Sequence, residues 1–338
     1  MIITVTMNPA IDKTIDIDSF VHGGLNRIQN IERDAGGKGI NVSTTIHHLG
    51  GTSLATGFLA GAAGDMIEQA LKEYGISSDF IRIDGETRTN TKVVENNGTV
   101  TELNEPGPYV GPEHVEELIQ KLEFYASPDT IVVLAGSIPK SVDKTIYRMI
   151  TEKMHAKGAA VLLDADGELF VHALKASPDI IKPNRVELEE YFSLQNDASA
   201  PDYAQKHSVS GKKSTFEASS YENSCASQEN LIGMGQKLLD TGISTVVISM
   251  GGDGALFLNH TIILKSDALP VKTHSTVGAG DAMVAALAYG WEQKLPFAEC
   301  AALAMAASAG AVTTIGTKPP TRELVDELLP QVKLTRCN

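Results

Sequence analysis

Residues 130–163 read TIVVLAGSIPKSVDKTIYRMITEKMHAKGAAVLL, and they contain two short apolar runs on either side of a helical pattern. The runs Thr130 to Ala135 and Ala159 to Leu163 are apolar and uncharged, as is typical of parallel strands that are covered on both faces. Between them, Asp143 to His155 has helical spacing and a polar face. A strand, a helix and a second strand in this order predict a parallel βαβ unit.

The same alternation of strand and helix patterns continues along most of the chain. Further strands are predicted at Ile2 to Thr6, Leu54 to Leu59, Asp179 to Ile181 and Thr245 to Ser249. Further helices are predicted at Asp65 to Tyr74, Glu113 to Tyr125, Leu231 to Leu239, Phe297 to Thr313 and Arg322 to Leu329. This pattern predicts an α/β fold in which helices flank a doubly wound, mainly parallel sheet, within one domain spanning residues 1–338.

Two segments depart from the alternation and predict a second, smaller sheet. Thr14 to Asp18 alternates apolar and polar residues, which indicates a strand with one solvated face. Lys92 to Thr101 has β-prone arms around Asn97-Gly98, a strong hairpin signal. We expect these segments to form a lid at about residues 11–30 and 88–105 that covers a site. An edge extension without function is the alternative.

Residues 193–229 are rich in Ser, Ala, Asn, Gln and Lys and have almost no apolar periodicity. This composition is typical of a mobile surface segment rather than of a packed element. The sequence therefore predicts a flexible insertion, most simply of tolerated extra length.

The overall composition excludes several classes of protein. With 338 residues and 42% hydrophobic content, the chain can bury a large core. Its net charge of −14 argues against non-specific binding to nucleic acids or anionic membranes, so an anionic substrate would need local cations. No signal peptide or long apolar run is recognisable, and three scattered cysteines indicate no disulfide framework or metal site. A soluble cytoplasmic protein is the expectation.

The stretch Thr276 to Met283, TVGAGDAM, combines a glycine turn with a carboxylate at a helix start. Gly278 and Gly280 lack a Cβ, so their backbone can direct N–H groups at an anion near the positive end of the helix beginning about Ala282. Asp281 would lie close enough to take a proton from a hydroxyl that attacks a bound phosphate. An ordinary glycine-rich connection followed by a helix-stabilising Asp is the alternative.

A second glycine cluster, Gly36-Gly37-Lys38-Gly39-Ile40-Asn41, also precedes a helical pattern. Its spacing differs from that of a Walker P-loop. It offers backbone N–H groups, a cation and an amide, which suit a polyol that carries an anion. Taken singly, Lys38 is most simply a solvated lysine, and Asn41 a helix-start residue.

Other candidates stand near the N-terminal strands. Asp12 could accept hydrogen bonds from two sugar hydroxyls, although a turn residue is an equal alternative. Arg27 and Arg88 are candidates for binding a phosphate, since a guanidinium presents a planar fork of donors. Each arginine alone is more simply a surface residue.

Polar residues also follow the predicted strands of the second half. Asp164, Asn184 and Glu187 could assemble around hydrated Mg²⁺ at the carboxyl ends of the strands. A capping box is the alternative for Asn184 and Glu187. Residues 249–255, SMGGDGA, form a tight glycine turn that lets a nucleotide approach the backbone, or else a simple hairpin turn.

Together these segments resemble the ribokinase-like PfkB carbohydrate kinases, and within them the branch of 1-phosphofructokinases and tagatose-6-phosphate kinases. The resemblance covers nearly the whole chain. It rests on Thr-x-Asn-Pro-Ala-x-Asp near the start, Gly-Gly-Lys-Gly-Ile-Asn-Val, Thr-Arg-x-Asn at Thr87 to Asn90, Gly-Ser-Ile-Pro at Gly136 to Pro139, Lys-Pro-Asn-x-x-Glu, Ser-x-Gly-Gly-Asp-Gly-Ala and Thr-Val-Gly-Ala-Gly-Asp-Ala-Met. The 193–229 insertion departs from the family pattern.

The resemblance implies ATP and Mg²⁺, with Asp281 as the base and a role for each candidate residue. Gly278, Ala279 and Gly280 would form an anion hole; Asp12, Gly37 and Asn41 would hold the sugar; Arg27, Lys38, Arg88 and Ser137 would surround its phosphate. Lys182 and Asn184 would face the ATP phosphates; Ser249, Gly251 and Gly254 would line the nucleotide groove; Asp164 and Glu187 would organise metal through water.

The implied reaction is phosphorylation of fructose 1-phosphate at C6, with tagatose 6-phosphate as the alternative substrate. The fructose assignment follows from Gly24-Leu25-Asn26-Arg27 and Gly-Ser-Ile-Pro-Lys, which look closer to that branch. A catalytically silent phosphosugar sensor is the rival from another class, and the intact Asp281 argues against it. Open strand edges in the lid make a homodimer through the lid a reasonable hypothesis.

Overall fold

The computed structural model describes residues 1–196, 227–314 and 316–337. Its main sheet contains eleven strands in the order β15-β14-β13-β12-β11-β10-β9-β1-β4-β5, with β6 pairing β4 beside this path. These strands are β1 Ile2–Thr6, β4 Ser53–Leu59, β5 Ser77–Ser78, β6 Ile81–Arg82, β9 Ile131–Ala135, β10 Ala160–Asp164, β11 Ile180–Ile181, β12 Thr245–Ser249, β13 Ala255–Asn259, β14 Ile263–Ser266 and β15 Leu334–Cys337.

The order of the parallel strands confirms the predicted doubly wound sheet. β1 pairs in parallel with β4 on one side and β9 on the other, and the chain then continues outward through β10, β11 and β12. β13, β14 and β15 complete that edge as antiparallel strands, which sequence reasoning missed. Because ligands of open α/β sheets bind at the carboxyl ends of the strands where the order reverses, the region beyond β1 and β9 is the place to look for a site.

The described residues form ten α-helices around the main sheet, and a 3₁₀ turn at 251–253 joins β12 to β13. They are α1 Lys38–His48, α2 Gly61–Glu73, α3 Pro112–Tyr125, α4 Ile146–Ala156, α5 Gly167–Ala173, α6 Arg185–Asn196, α7 Gln228–Leu239, α8 Ala279–Glu292, α9 Phe297–Ala311 and α10 Arg322–Leu328. Alternate residues of one strand enter different cores, since Val132 and Leu134 belong to one cluster and Ile131 and Val133 to the other. The strands are thus buried on both faces, as their uncharged composition predicted.

The lid is a separate sheet of four strands in the order β3-β2-β7-β8. Its strands are β2 Ala10–Ile17, β3 Asn30–Gly36, β7 Arg88–Glu95 and β8 Val100–Asn104. The predicted hairpin joins β7 to β8, whereas β3 extends the lid beyond the expected boundary at residue 30. β2 and β7 are parallel, with Asp12 beside Asn90 and Thr14 beside Lys92.

The predicted insertion at 193–229 lies mostly outside the described residues. Its first residues, 193–196, end α6, and its last two begin α7. Among the helices that the structure describes, none combines the length and the apolar character that a membrane span requires.

Candidate active site

Two helices begin at one place beyond the carboxyl ends of the central strands. Gly37, which precedes α1, has φ +115°, and Gly278, which precedes α8, has φ +86°. Only glycine adopts such angles without strain, so both glycine clusters are needed to turn the chain into these helices. The first N–H groups of a helix lack partners within it and favour anions. The two predicted glycine motifs therefore lie together at one candidate anion site.

Asp281, in the first turn of α8, is almost entirely enclosed, with 8% of its surface exposed. Its Oδ2 accepts a hydrogen bond of 2.8 Å from Nδ2 of Asn41 on α1. Burial raises the pKa of Asp281 to about 6, and the negative charge of Asp164 adds to this shift, while Lys38 and Asn41 oppose it. A carboxylate with this pKa is ionised at neutral pH and is well suited to accept a proton.

Asp164, at the end of β10, is paired with two lysines. One of its oxygens lies 3.0 Å from Nζ of Lys38 and the other 3.0 Å from Nζ of Lys182. Burial alone would raise the pKa of Asp164, but the two ammonium groups outweigh burial and hold it at about 2. The same pairing raises the pKa of Lys38. Asp164 thus holds two amines, one from α1 and one from the residue after β11, close together in the site.

Lys182 joins this cluster to the turn that precedes Asp281. A Cβ added at Gly280 would lie 3.5 Å from Nζ of Lys182. The ammonium therefore stands beneath the Gly-Ala-Gly backbone, with 5% of the residue exposed. Fixed N–H groups and a cation that is already oriented are what stabilises a transferring phosphoryl group.

A polar cavity of about 510 Å³ opens between this cluster and the lid. Among the sequence candidates, it is lined by Asp12, Gly37, Lys38, Asn41, Arg88, Ser137, Asp164, Lys182, Asn184, Glu187, Ser249, Gly278, Gly280 and Asp281. Its size and its mixture of cations, amides and carboxylates suit a phosphorylated polyol.

Arg88 connects the lid to the floor of this cavity. Its Nε and Nη2 donate to the carbonyl of Asn8 at 3.2 and 2.9 Å, and Nη1 donates to the carbonyl of Glu105 at 3.2 Å. Nη2 also lies 3.4 Å from Oγ of Ser137. The guanidinium thus joins the chain that enters the lid, the chain that leaves it and the turn after β9. Arg88 and Ser137, predicted together, are neighbours.

Asp12 lies on the lid face that looks into the cavity. Nδ2 of Asn90 donates to its Oδ1 at 3.3 Å. Burial raises the pKa of Asp12, against the opposing charges of Lys92 and Arg88. A half-buried carboxylate beside two cations is a suitable acceptor for sugar hydroxyls, and the sugar-binding role of Asp12 stays a prediction.

A second cavity of about 600 Å³ lies on the other side of the glycine turn. Its walls carry Ser249, Gly251 and Gly254, together with apolar side chains such as Leu269 and Met305. The glycine turn joins β12 to β13, so the hairpin alternative is right, and the turn lines a groove as well. Asn184, Ser249 and Gly280 line both cavities. The two cavities therefore meet next to Asp281.

The backbone N–H of Asn184 donates to Oε2 of Glu187 at 2.8 Å, and that of Glu187 donates to Oδ1 of Asn184 at 2.9 Å. These reciprocal bonds are the capping box that the sequence offered as an alternative. Burial raises the pKa of Glu187. Both oxygens of Asp164 face lysines, so Glu187 has the carboxylate better placed for a hydrated metal.

The structure does not bring Arg27 to the cavity. It lies exposed in the loop between β2 and β3, at the end of the lid away from Arg88. The side chain of Asn26 forms hydrogen bonds with the backbone of Val21 and Gly24 in the same loop. Arg27 therefore does not line the cavity of the single chain, and its role beside the substrate phosphate stays a prediction.

Several lining residues were absent from the sequence candidates, namely Asn8, Asn90, Lys92, Glu102, Asn104, Asp166 and Thr317. The sequence did contain a signal for two of the lid residues, Asn90 and Lys92. Asn90 and Lys92 follow Arg88 at intervals of two, which places all three on one face of a strand. Thr317 comes from the far end of the chain, and no local pattern reveals it.

Comparison with known proteins gives one consistent family. Residues 5–324 match the model of the pfkB family carbohydrate kinases. The chain is 34% identical over 338 residues to a 1-phosphofructokinase of Bacillus subtilis strain 168, covering 99% of this chain and 100% of that relative. It is 29% identical to a D-tagatose-1-phosphate kinase of Bacillus licheniformis, covering 99% of each.

Solved structures agree with the fold. A Staphylococcus aureus structure named as a candidate phosphofructokinase matches with a TM-score of 0.81 and 32% identity, over 100% of this chain and 99% of the other. Phosphofructokinase-2 of Escherichia coli in complex with substrates and products matches with a TM-score of 0.82 and 24% identity, over 98% of both chains. The second likeness is one of fold alone.

Proposed function

Because the chain belongs to the PfkB family of carbohydrate kinases, which are phosphotransferases, we propose that it transfers the γ-phosphoryl group of ATP to the C6 hydroxyl of fructose 1-phosphate. The products are fructose 1,6-bisphosphate and ADP. Supply of ATP makes the cytoplasm the expected location. The substrate assignment is supported by the full-length similarity to proteins named 1-phosphofructokinase.

The observation that carries the proposal is the meeting of two cavities at the glycine turn. The first, beneath the lid, is polar and suits a sugar phosphate; the second, lined partly by apolar side chains, suits a nucleotide base. Gly280 borders both, and Asp281 follows it directly. A phosphoryl donor in one cavity would thus face an acceptor hydroxyl in the other, close to a base.

The residues of the chain then take the following parts in the transfer. Asp281 accepts the proton of the C6 hydroxyl as its oxygen bonds to the γ-phosphorus and the bond to the β-phosphate oxygen breaks. The N–H groups after Gly278 and the ammonium of Lys182 stabilise the charge on the transferring group. Asp12 and Asn41 orient the sugar, and Arg88 with Ser137 receives its existing phosphate.

The residues that line the cavity could hold a hydrated Mg²⁺ ion through one carboxylate. It retains several waters and needs only one or two carboxylates besides the nucleotide phosphates, where it neutralises their charge. Glu187 has one oxygen outside the capping box and lines the cavity, so it is the residue that we expect to hold hydrated metal. The predicted role of Asp164 in metal binding is less suited, since each of its oxygens faces an ammonium.

We expect the kcat/KM of the protein to be at least tenfold higher for fructose 1-phosphate than for tagatose 6-phosphate, fructose 6-phosphate or tagatose 1-phosphate. Steady-state assays coupled to ADP release measure the four values under one condition, and ³¹P NMR of the product identifies the phosphorylated carbon. A clear preference for any of the other three would contradict the assignment.

Tagatose 1-phosphate joins this panel because one relative is named for it. It carries its phosphate at the same end as fructose 1-phosphate and differs in the orientation of one hydroxyl. The same base and phosphate site therefore serve either sugar. The sensor alternative is disfavoured by the enclosed and oriented Asp281, which binding alone does not need.

We propose that the protein forms a homodimer through its lids. Exposed large apolar side chains lie in the loop between β2 and β3 and on the two outer strands β3 and β8: Phe20, Val21, Leu25, Ile28, Ile31, Val100 and Leu103. β3 and β8 are the outer strands of the lid sheet, so each has an unpaired edge. Association of two lids would cover both features.

Light scattering should give about twice the chain mass of 36.0 kDa. Leu25→Asp, at a side chain that is 77% exposed, should shift the population to monomer because it places charge within the apolar patch. Phe124→Asp is the matched control, since Phe124 is 82% exposed on α3 rather than in the lid, and should remain dimeric. A wild-type protein that scatters only as a monomer would reject the lid dimer.

A further inference from the structure

Four cationic side chains line the cavity beneath the lid, and they divide into two pairs. Lys38 and Lys182 both bind the carboxylate of Asp164. Arg88 and Lys92 form no ion pair with a carboxylate in the part of the chain that the structure describes. A phosphate monoester carries up to two negative charges at neutral pH and is strongly solvated, so its binding site needs cations that are not already neutralised.

Arg88 and Lys92 stand on the same face of strand β7. Alternate residues of a strand point to one side, and Arg88, Asn90 and Lys92 all line the cavity. Their pairing partners on the neighbouring strands fix this orientation, since Lys92 lies beside Thr14 on β2 and opposite Glu102 on β8. The backbone positions of Arg88 and Lys92 are about 13 Å apart along the strand. Their long side chains can therefore both contact one ligand that lies between them.

The electrostatic surroundings of Asp12 show that both cations act on the same region. Among the charges that lower the pKa of Asp12 against the effect of burial, Lys92 is the largest and Arg88 also contributes. Lys92 likewise lowers the pKa of Asp34 on β3, as does Lys318. The charge of Lys92 thus acts on the lid face that carries Asp12, and both residues line the same cavity.

Asn90, between the two cations, supplies an independent sign of a ligand. Its Oδ1 is buried and has no hydrogen-bond partner, while its Nδ2 donates to Asp12. A buried acceptor without a donor is costly unless a ligand completes it. Hydroxyl groups next to a phosphate would supply that donor, which fits a sugar phosphate lying along β7.

We propose that Lys92 is the second cation of the substrate-phosphate subsite and acts together with Arg88 across strand β7. The inference rests on the proposed function for the identity of the substrate, because it requires a phosphorylated sugar in the lid cavity.

The test compares Lys92→Met, Lys92→Arg and the control Lys13→Met. Lys13 pairs with Thr91, which lies between Asn90 and Lys92 on β7. Because side chains alternate along a strand, Lys13 lies on the opposite face of the lid sheet from Lys92. Lys92→Met should raise the KM for fructose 1-phosphate by about 10- to 100-fold, the usual effect of losing a hydrogen bond to a charged group. The KM for ATP and kcat should change less than about threefold, because Lys92 does not line the nucleotide cavity.

Two further readouts separate a charge contact from a structural role. Lys92→Arg, which keeps the cation, should restore KM to within about fivefold of wild type, and Lys13→Met should match wild type. The decrease of kcat/KM with added salt should be shallower in Lys92→Met, since one ionic contact is missing. A Lys92→Gln variant, checked by circular dichroism, replaces the methionine variant if that one does not fold.

The proposal is overturned if the KM of the uncharged variant stays within twofold of wild type, if only kcat falls, or if Lys13→Met has the same effect. Failure of the proposed function has a different result. In that case the wild type itself prefers another sugar phosphate, and the same variants are compared on that substrate. If the wild type turns over none, calorimetric titration with fructose 1-phosphate compares the dissociation constants of the same variants.

Discussion

Replacement of Asp281 by Asn should lower kcat by a factor of about 10² to 10⁴, the usual contribution of general-base catalysis. Asparagine keeps the size of the side chain and can still accept the hydrogen bond from Nδ2 of Asn41, so the site should keep its shape. What is lost is the group that takes the proton from the attacking hydroxyl. ADP release measures the loss, and calorimetry should show fructose 1-phosphate binding within about threefold of wild type.

The pH dependence of the wild type provides the matching measurement. Because burial and Asp164 raise the pKa of Asp281 to about 6, kcat/KM should fall as the pH decreases through that value and the base becomes protonated. The residual activity of Asp281→Asn should lack this acid limb. Turnover in the variant equal to that of wild type would remove Asp281 from the mechanism.

The same pKa shift predicts that Asp281→Asn, which loses activity, gains stability. Because folding raises the pKa of Asp281, ionising this carboxyl lowers the free energy of unfolding. This cost is absent below the pKa of an unfolded aspartate and complete above about pH 6. Asp281→Asn removes this cost, so it should be more stable than wild type at pH 7, by on the order of 3 kcal/mol. Unfolding in urea at pH 4 and pH 7 checks this and shows that lost activity is not lost folding.

The fold and the reacting end of the site were predictable because their signals are local. The apolar runs at Ile131–Ala135 and Ala160–Asp164 and the helix between them are encoded within one short stretch. The turn at Gly278 and Asp281, the proposed base, are likewise neighbours in sequence. Local spacing suffices where strand and helix periods or glycine angles decide the structure.

The pairing of side chains between distant elements was not predictable in this way. Lys38 was assigned to the substrate phosphate, yet its nearest anion is Asp164, 126 positions along the chain. Asn41 was assigned to the sugar, and it contacts Asp281 across 240 positions. The antiparallel strands β13, β14 and β15 were missed because runs of four or five residues are too short to show a clear periodicity. Only folding brings such partners into contact.

The ion-pair cluster around Asp164 gives the largest expected effect on stability. Asp164→Ala would leave Lys182, buried at 5% exposure, without its carboxylate, and would also free Lys38. Removal of one member of a buried pair leaves an uncompensated charge, which typically costs about 3–5 kcal/mol. We therefore expect the free energy of unfolding at pH 7 to decrease by about that amount, together with a loss of turnover as the two ammonium groups move from the phosphoryl site.

Glu152→Ala is the matched control, because Glu152 pairs with Arg148 one helical turn away on the surface of α4. Exposed pairs of this kind contribute only about 0.3–0.5 kcal/mol, so the control should unfold nearly as wild type does. Since the two lysines hold the pKa of Asp164 at about 2, its contribution to stability is complete above the pKa of an unfolded aspartate and is lost as the pH falls towards 2. The difference between wild type and Asp164→Ala should therefore be constant from pH 5 to pH 7 and shrink in acid. Equal stability of the two proteins at pH 7 would mean that the lysines find other partners, and that Asp164 does not hold them in place for the phosphoryl group.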